Sequence, residues 1–320
     1  MLISRTPFRI SFIGGGSDLK EFYEQDYGAV VSTTIDKYVY LSMHPLFGKP
    51  NGYHLKYFKN EIIDRWDEIR HPIIREVFRR YNISGVDFNA TAEIPSGTGL
   101  GSSSSFTSSL ITLCTAYRNI NELKKFIAKQ ASEIEIDVLQ SPIGKQDQYA
   151  ATFGGLNFIK FNADESVDVK KIELSAEKLK KLESSLVLFY LGGTRSSESV
   201  LTEQKQNILS NRGTLKKMVK LAENLSYEFN NDSIDNLGTI LNDGWAYKKE
   251  LSSNVSNKVI DEWYSLAMKN GAEGGKLLGA GNGGFLLFYA PNGGADLLRA
   301  AIQLYELKFK FEDTGTTIIY

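Results

Sequence analysis

The stretch PSGTGLGSSSSFTSSL, residues 95–110, constrains this chain more than any other. The segment before it alternates Val86, Phe88, Ala90 and Ala92 with polar residues, as a half-buried strand does. After it, Phe106, Leu110, Leu113 and Tyr117 fall at helical spacing. A strand must therefore become a helix through Gly97, Gly99 and Gly101. Alternating glycines open backbone conformations closed to other residues and allow close approach to a ligand. A helix start adds unpaired N–H groups and a partial positive charge. Together they make an anion site, most often for phosphate. Ser102, Ser103, Ser104 and Ser105 supply hydroxyls suited to phosphate oxygens or Mg²⁺. A serine N-cap on a glycine turn would need only one of these serines. No lysine follows the last glycine, so this is not the Gly-Lys-Ser/Thr phosphate loop.

The rest of the chain reads as α+β in two lobes. Residues 1–13 alternate around Ile3, Phe8, Ile10 and Phe12 as a strand. Segments 29–35 and 38–43 read as a hairpin turning at Asp36-Lys37. Asn51-Gly52 is a turn leading into strand 54–58, and helix 72–81 has Pro72 in its first turn. Helices are expected at 123–134 and 146–152, and strands at 156–161 and 186–191. Residues 196–249 read as mostly helical, with charge runs taken as solvated faces. A helix at 257–269, a strand–glycine loop–strand at 276–290, a helix and two short strands around Asp313 complete the pattern. A length of 320 residues suits two domains sharing a cleft, here 1–165 and 166–320.

Composition excludes several classes of function. With 37 basic and 38 acidic residues, no basic excess points to nucleic acid or an anionic membrane. One cysteine, Cys114, allows neither an intrachain disulfide nor a cysteine metal site. Arg5, Pro7 and Arg9 interrupt any leader-like apolar core. No apolar run is longer than that at 285–290, far short of the ~18 residues of a membrane span. A soluble cytoplasmic protein is expected.

Three separated motifs resemble the GHMP kinase superfamily, which includes galactokinase, homoserine kinase and the mevalonate kinases. Residues 95–103 match its Pro-x-x-x-Gly-Leu-Gly-Ser-Ser loop, PFRISFIGGGSD (7–18) its N-terminal motif, and GGKLLGAGNGGFLLF (274–288) its C-terminal one. Taken alone, residues 279–284 also fit the dinucleotide fingerprint. That reading needs a helix next, whereas an apolar strand follows.

The resemblance implies a ribosomal-protein-S5-domain-2-like N-terminal domain and a ferredoxin-like C-terminal domain. It implies ATP and Mg²⁺, with ATP on Pro95, Gly97, Gly99, Leu100, Gly101, Ser102, Ser103 and Ser104. It also implies that the glycines at 279–284 pack close to the phosphate loop. Asp147 lies in Gly144-Lys145-Gln146-Asp147-Gln148, which resembles the galactokinase Gly-x-x-Asp-Gln and makes Asp147 the catalytic base. Glu135, 12 residues earlier, and Ser103 match the Mg²⁺ ligands. Glu133 competes with Glu135, but two residues apart on a helix they face different ways. Arg9 matches a basic residue beside the base, where its charge would hold Asp147 ionised and stabilise a developing alkoxide. Asp18, Gly16, Ser17 and Gly281 fall on the sugar side.

Gly15-Gly16 stand where galactokinases carry Glu-His, which argues against galactose. RTPFRISFIGGGSDL (5–19), GKQDQYAATFGGLNFI (144–159) and LGGTRSSESVL (191–201) most resemble the D-glycero-D-manno-heptose 7-phosphate kinase branch. That branch phosphorylates the anomeric hydroxyl to give the 1,7-bisphosphate. Its acceptor carries a dianion, so Arg195, Lys145 and Lys276 are candidate cations, arginine suiting phosphate best. Competing readings are a kinase for another sugar such as L-fucose, and a non-catalytic nucleotide-binding sensor. The sensor would be expected to lose one of Asp147, Glu135, Ser103 and Arg9. The expected partner is a small sugar phosphate, with no nucleic acid and no membrane; a homodimer is left open.

Overall fold

The computed structural model describes residues 1–192 and 198–320. The chain opens on β1 (Leu2–Ile13), the short helix α1 (Lys20–Tyr23) and β2 (Tyr27–Pro45). From Thr6 onward every residue of β1 is buried, which marks a central strand. β2 is one strand of 19 residues, not the hairpin expected at Asp36-Lys37. A two-residue hairpin turn needs positive φ at its centre, and neither Asp36 nor Lys37 has it. Instead the register with β1 slips, Pro7 facing Tyr38 and Phe8 facing Ile35, so the two residues form a bulge. The bulge receives the C-terminal segment: Asp36 N donates to Lys310 O at 2.9 Å, and Asp36 Oδ1 accepts from Lys310 N at 2.8 Å.

β3 (Tyr53–Lys56), β4 (Asn60–Ile63), α2 (Pro72–Arg80) and β5 (Val86–Ala92) follow. β5 pairs with the second half of β2, and β3 runs parallel to β5. The glycine loop then leads into α3 (Ser102–Tyr117), whose buried side packs on β1 and β2. Next come α4 (Lys124–Ser132), a π-helical turn (Glu133–Val138) and α5 (Gln146–Phe153). β6 (Asn157–Asn162) pairs with the first half of β2 and with β7 (Val167–Lys171). This hairpin spans residue 165. A division there would separate strands that are hydrogen-bonded to each other, so the boundary moves beyond Lys171.

The second lobe begins with α6 (Ala176–Ser185), which the sequence pattern does not announce although Ser175 caps it by accepting from Lys178 N at 3.3 Å. β8 (Leu186–Tyr190) precedes α7 (Glu198–Gln206), α8 (Arg212–Asn230), α9 (Leu237–Glu250) and α10 (Lys258–Lys269). β9 (Gly274–Leu277), β10 (Phe285–Tyr289), α11 (Gly294–Ala301) and β11 (Tyr305–Glu306) complete it. The sheet order β11-β8-β10-β9 is antiparallel throughout and is the ferredoxin-like order, with the helices α7 to α10 filling its first crossover. β12 (Phe311–Glu312) and β13 (Thr317–Ile318) then return to the first sheet, on β2 and β1.

Helices α8 and α9 press against β1 from the second lobe. Phe12 and Phe229 meet edge to face at 6.3 Å between ring centroids. Gly244 permits the closest approach, since a Cβ there would lie 2.3 Å from Ile13 Cδ1. Lys248, one helical turn later, therefore faces the same way, toward the cleft between the two sheets. Among the described residues no helix is long and apolar enough to cross a membrane.

Candidate active site

Gly97, Gly99 and Gly101 all adopt positive φ, at 77°, 88° and 77°, and Gly101 is the N-cap of α3. The loop thus forms a concavity of main-chain N–H groups at a helix start. The second glycine segment lies directly against it. A Cβ on Gly99 would meet Leu278 O at 2.5 Å, and one on Gly284 would meet Thr98 O at 2.3 Å. Gly97, Gly99, Gly101, Ser102, Ser103 and Ser104 line the cleft. Pro95 and Leu100 do not: Pro95 is exposed where the loop begins, and the Leu100 side chain is buried while its carbonyl accepts from Arg9 N at 3.0 Å. These two shape the loop.

β1 delivers Arg9 and the first turn of α5 delivers Asp147. Arg9 Nε and Nη2 donate to Asp147 Oδ1 and Oδ2, both at 2.7 Å, a bidentate fork. Arg9 Nη1 donates to Gly99 O at 2.6 Å. All three guanidinium nitrogens are therefore engaged within the protein, tying the carboxylate to the phosphate loop. The Arg9 side chain is 5% exposed and that of Asp147 is 22% exposed, so the carboxylate keeps a free edge toward the cleft.

Glu135 enters from the π-helical turn. There Leu139 N donates to Ile134 O at 3.0 Å, five residues back, which widens the helix and turns Glu135 inward. Its Oε1 accepts from Ser103 Oγ at 2.5 Å and its Oε2 from Gln148 Nε2 at 2.7 Å. Burial pushes its pKa up, against the pull of the Ser103 and Gln148 hydrogen bonds. Glu133 sits outside and pairs with Arg80 at 3.1 Å. Among the described residues no cluster of three metal-ligating side chains occurs. One buried carboxylate beside one hydroxyl at a phosphate loop fits Mg²⁺, which keeps waters and takes phosphate oxygens instead of a protein cage.

On the opposite side, Asp18 accepts from Gly16 N at 2.9 Å, Gln146 N at 3.2 Å and Gln146 Nε2 at 3.1 Å. Desolvation raises its pKa, opposed by the Gly16 N–H. Ser11, two residues along β1 from Arg9 and on the same face, donates to Gln146 Oε1 at 3.0 Å. A Cβ on Gly144 would fall 2.0 Å from Asp18 Oδ2, so glycine is required there for Asp18 to hold its place. Gly16 and Gly281 line the cleft as expected. Ser17 does not: it is fully buried and its Oγ donates to Gly14 O at 2.7 Å, so it braces the turn. Lys145 lies over the Tyr23 ring at 4.9 Å, away from the cleft wall. Arg195 lies outside the described residues.

Sequence reasoning missed several residues of this wall. Gln146 and Gln148 flank Asp147, and Ser11 follows Arg9, so spacing along one strand face or helix turn was the available signal. Gln204 of α7 lines the cleft with its Nε2 unpartnered among the described residues. Lys248 lies in a charge run taken as a solvated face, yet it is only 8% exposed and lines the cleft. Lys276, one of the cations expected from the sequence, lines the cleft as well and is 6% exposed.

The family described as GHMP kinases N terminal domain matches residues 69–155. A D-glycero-alpha-D-manno-heptose 7-phosphate kinase of Campylobacter jejuni is 31% identical over 98% of this chain and 97% of its own length. A bifunctional fucokinase/GDP-fucose pyrophosphorylase of Arabidopsis thaliana is 26% identical over 69% of this chain and 21% of its own length. A crystal structure of a D-glycero-D-manno-heptose 1-phosphate kinase from Bacteroides thetaiotaomicron superposes with a TM-score of 0.81 at 22% identity, covering 100% of this chain and 99% of that one. The phosphate loop, the Arg9–Asp147 fork and the full-length identity lead to one conclusion: the chain belongs to the GHMP kinases, phosphotransferases with a hydroxyl acceptor.

Proposed function

We propose that this kinase transfers the γ-phosphoryl group of ATP to the anomeric hydroxyl of D-glycero-D-manno-heptose 7-phosphate, giving the 1,7-bisphosphate. The observation that carries the reading is identity along the whole chain with a kinase of that acceptor. The acceptor wall supports it. Gly15 leaves room beside Gln146, where a Cβ would already stand 3.3 Å from Nε2. Asp18 and Gln146 supply paired acceptor and donor groups of the kind that grip sugar hydroxyls, and Gln204 offers an unpartnered donor. Arg195 is the cation we assign to the acceptor's own phosphate, by the arginine fork's fit to a dianion.

In the reaction the acceptor hydroxyl lies at the free edge of Asp147. That carboxylate takes its proton as the oxygen forms a bond to the γ-phosphorus. The bond from the γ-phosphorus to the bridging oxygen breaks, and its electron pair leaves with ADP. Arg9 holds Asp147 aimed through its two hydrogen bonds. Ser103 and Glu135 are the residues that would hold Mg²⁺, which when bound neutralises triphosphate charge.

Release of ADP with heptose 7-phosphate and with unphosphorylated heptose tests the acceptor. The phosphorylated sugar is expected to give the higher kcat/KM by about 100-fold or more, the scale of discrimination by a charged contact. Equal turnover of both removes the phosphate contact. Preference for L-fucose in the same screen gives the site to the fucokinase-like reading.

A further inference from the structure

The cleft holds two buried lysines that the reaction as described does not use. Lys248 reaches in from α9 and Lys276 from β9. Lys248 Nζ donates to Leu277 O at 3.1 Å and to Gly279 O. Lys276 Nζ donates to Phe12 O at 3.0 Å. Neither forms an ion pair among the described residues; every partner is a main-chain carbonyl. The nearest catalytic carboxylate, Asp147, has both oxygens engaged by Arg9. An ammonium has three donors, so one N–H of Lys248 and two of Lys276 are left over. Burial without a counter-charge disfavours the charged form of each lysine, and an anion entering the cleft beside them restores it.

The kinase reaction brings such an anion. During transfer, negative charge spreads over the three peripheral oxygens of the phosphoryl group. Arg9 is poorly placed to meet it, because its donors already hold Asp147 and Gly99 O. Lys248 is bonded to Gly279, and Gly279 touches Gly99 of the phosphate loop, where a Cβ would lie 2.5 Å from Gly99 Cα. Lys248 therefore stands at the triphosphate end of the cleft, and Lys276 lines the same cleft within reach of the charges of Lys248 and Arg9. Lys248 feels the fields of both Arg9 and Asp147, and burial with these neighbours holds its pKa at about 7. Lys276 is pushed well below the usual lysine range by burial, Lys248 and Arg9.

We propose that Lys248 and Lys276 are catalytic residues that clamp the peripheral oxygens of the phosphoryl group in flight. The bond-making and bond-breaking steps are those given above; protonated as the triphosphate binds, the lysines only donate hydrogen bonds during transfer. They present fixed donors where charge develops in a water-poor site, which is the strongest kind of electrostatic assistance. The proposal requires only that the protein is a kinase and is independent of which sugar accepts.

The test compares Lys248→Met, Lys276→Met and the two lysine-to-arginine variants with the parent enzyme. Calorimetry measures binding of ADP alone and of ADP with aluminium fluoride and Mg²⁺, which mimics the group in flight. Each methionine variant is expected to bind ADP within about threefold of the parent. Each is expected to lose about 100-fold or more in affinity for the aluminium fluoride complex and in kcat, the scale of one lost oxyanion donor. The arginine variants are expected to recover some of both. Unchanged affinity for the complex overturns the proposal. So does a rise in acceptor KM alone, which would give the lysines to the acceptor. Lys276→Met keeps the test open if Lys248→Met fails to fold, since Lys276 holds only one carbonyl. Failure of the heptose 7-phosphate screen leaves these binding results untouched.

Discussion

Asp147 is the residue to which we assign the acceptor's proton. Its carboxylate is held by two Arg9 nitrogens at 2.7 Å and keeps a free edge. Asp147→Asn preserves size and most of the geometry but removes the proton acceptor. Turnover is expected to fall by ~100-fold or more, in line with general-base contributions, with ADP affinity intact. Near-normal kcat in a steady-state assay would take the base role away from Asp147. The same scale separates Glu135 from Glu133. The sequence offers two acidic residues two positions apart, and only the π-helical turn decides that Glu135 faces Ser103 while Glu133 meets Arg80. A single extra main-chain hydrogen-bond span of this kind leaves no mark in side-chain periodicity.

Among elements, the long β2 strand shows where local signals mislead. Asp36-Lys37 looks like a turn because aspartate is common in turns. With no positive φ available, the pair instead becomes a bulge that docks the segment leading to β12. The carboxylate of Asp36 accepts from Lys310 N at 2.8 Å. Asp36→Ala is expected to lower unfolding free energy by about 1 kcal/mol, the worth of one such hydrogen bond, with kcat unchanged. Denaturant melts alongside initial rates decide it, and a loss of activity without loss of stability contradicts the tether. Other elements were legible because their signals are local: the β1 alternation, the strand–loop–helix around Gly97, Gly99 and Gly101, and the amphipathic α2 all stand close to their expected bounds. β7 and α6 were not legible, as their charged sequences resemble solvated loop.

At the scale of the whole molecule, the cleft sets buried lysines against the phosphate loop, and stability should report it. The folded pKa of Lys248, about 7, lies below its unfolded value near 10.4. Between those values the unfolded chain binds more protons than the folded one, so stability rises with pH. The ligand-free protein is expected to gain stability from about pH 7 toward 10 through this group, and Lys248→Met to flatten that slope. Parallel pH profiles in thermal melts of the two proteins would contradict it. Taken by itself, the sequence determined the phosphate loop, the order of the three glycine-bearing motifs and the identities of Arg9, Asp147 and Asp18. These depend on covalent neighbours: glycine's freedom at alternate positions, a helix start, a residue's place in a motif. Tertiary structure alone decided that Ser17 braces a turn, that Lys145 faces away, and that Lys248 enters the cleft. Whether a lysine is solvated or buried depends on what packs over it. For Lys248 that is β1 and the second glycine segment, both far away along the chain.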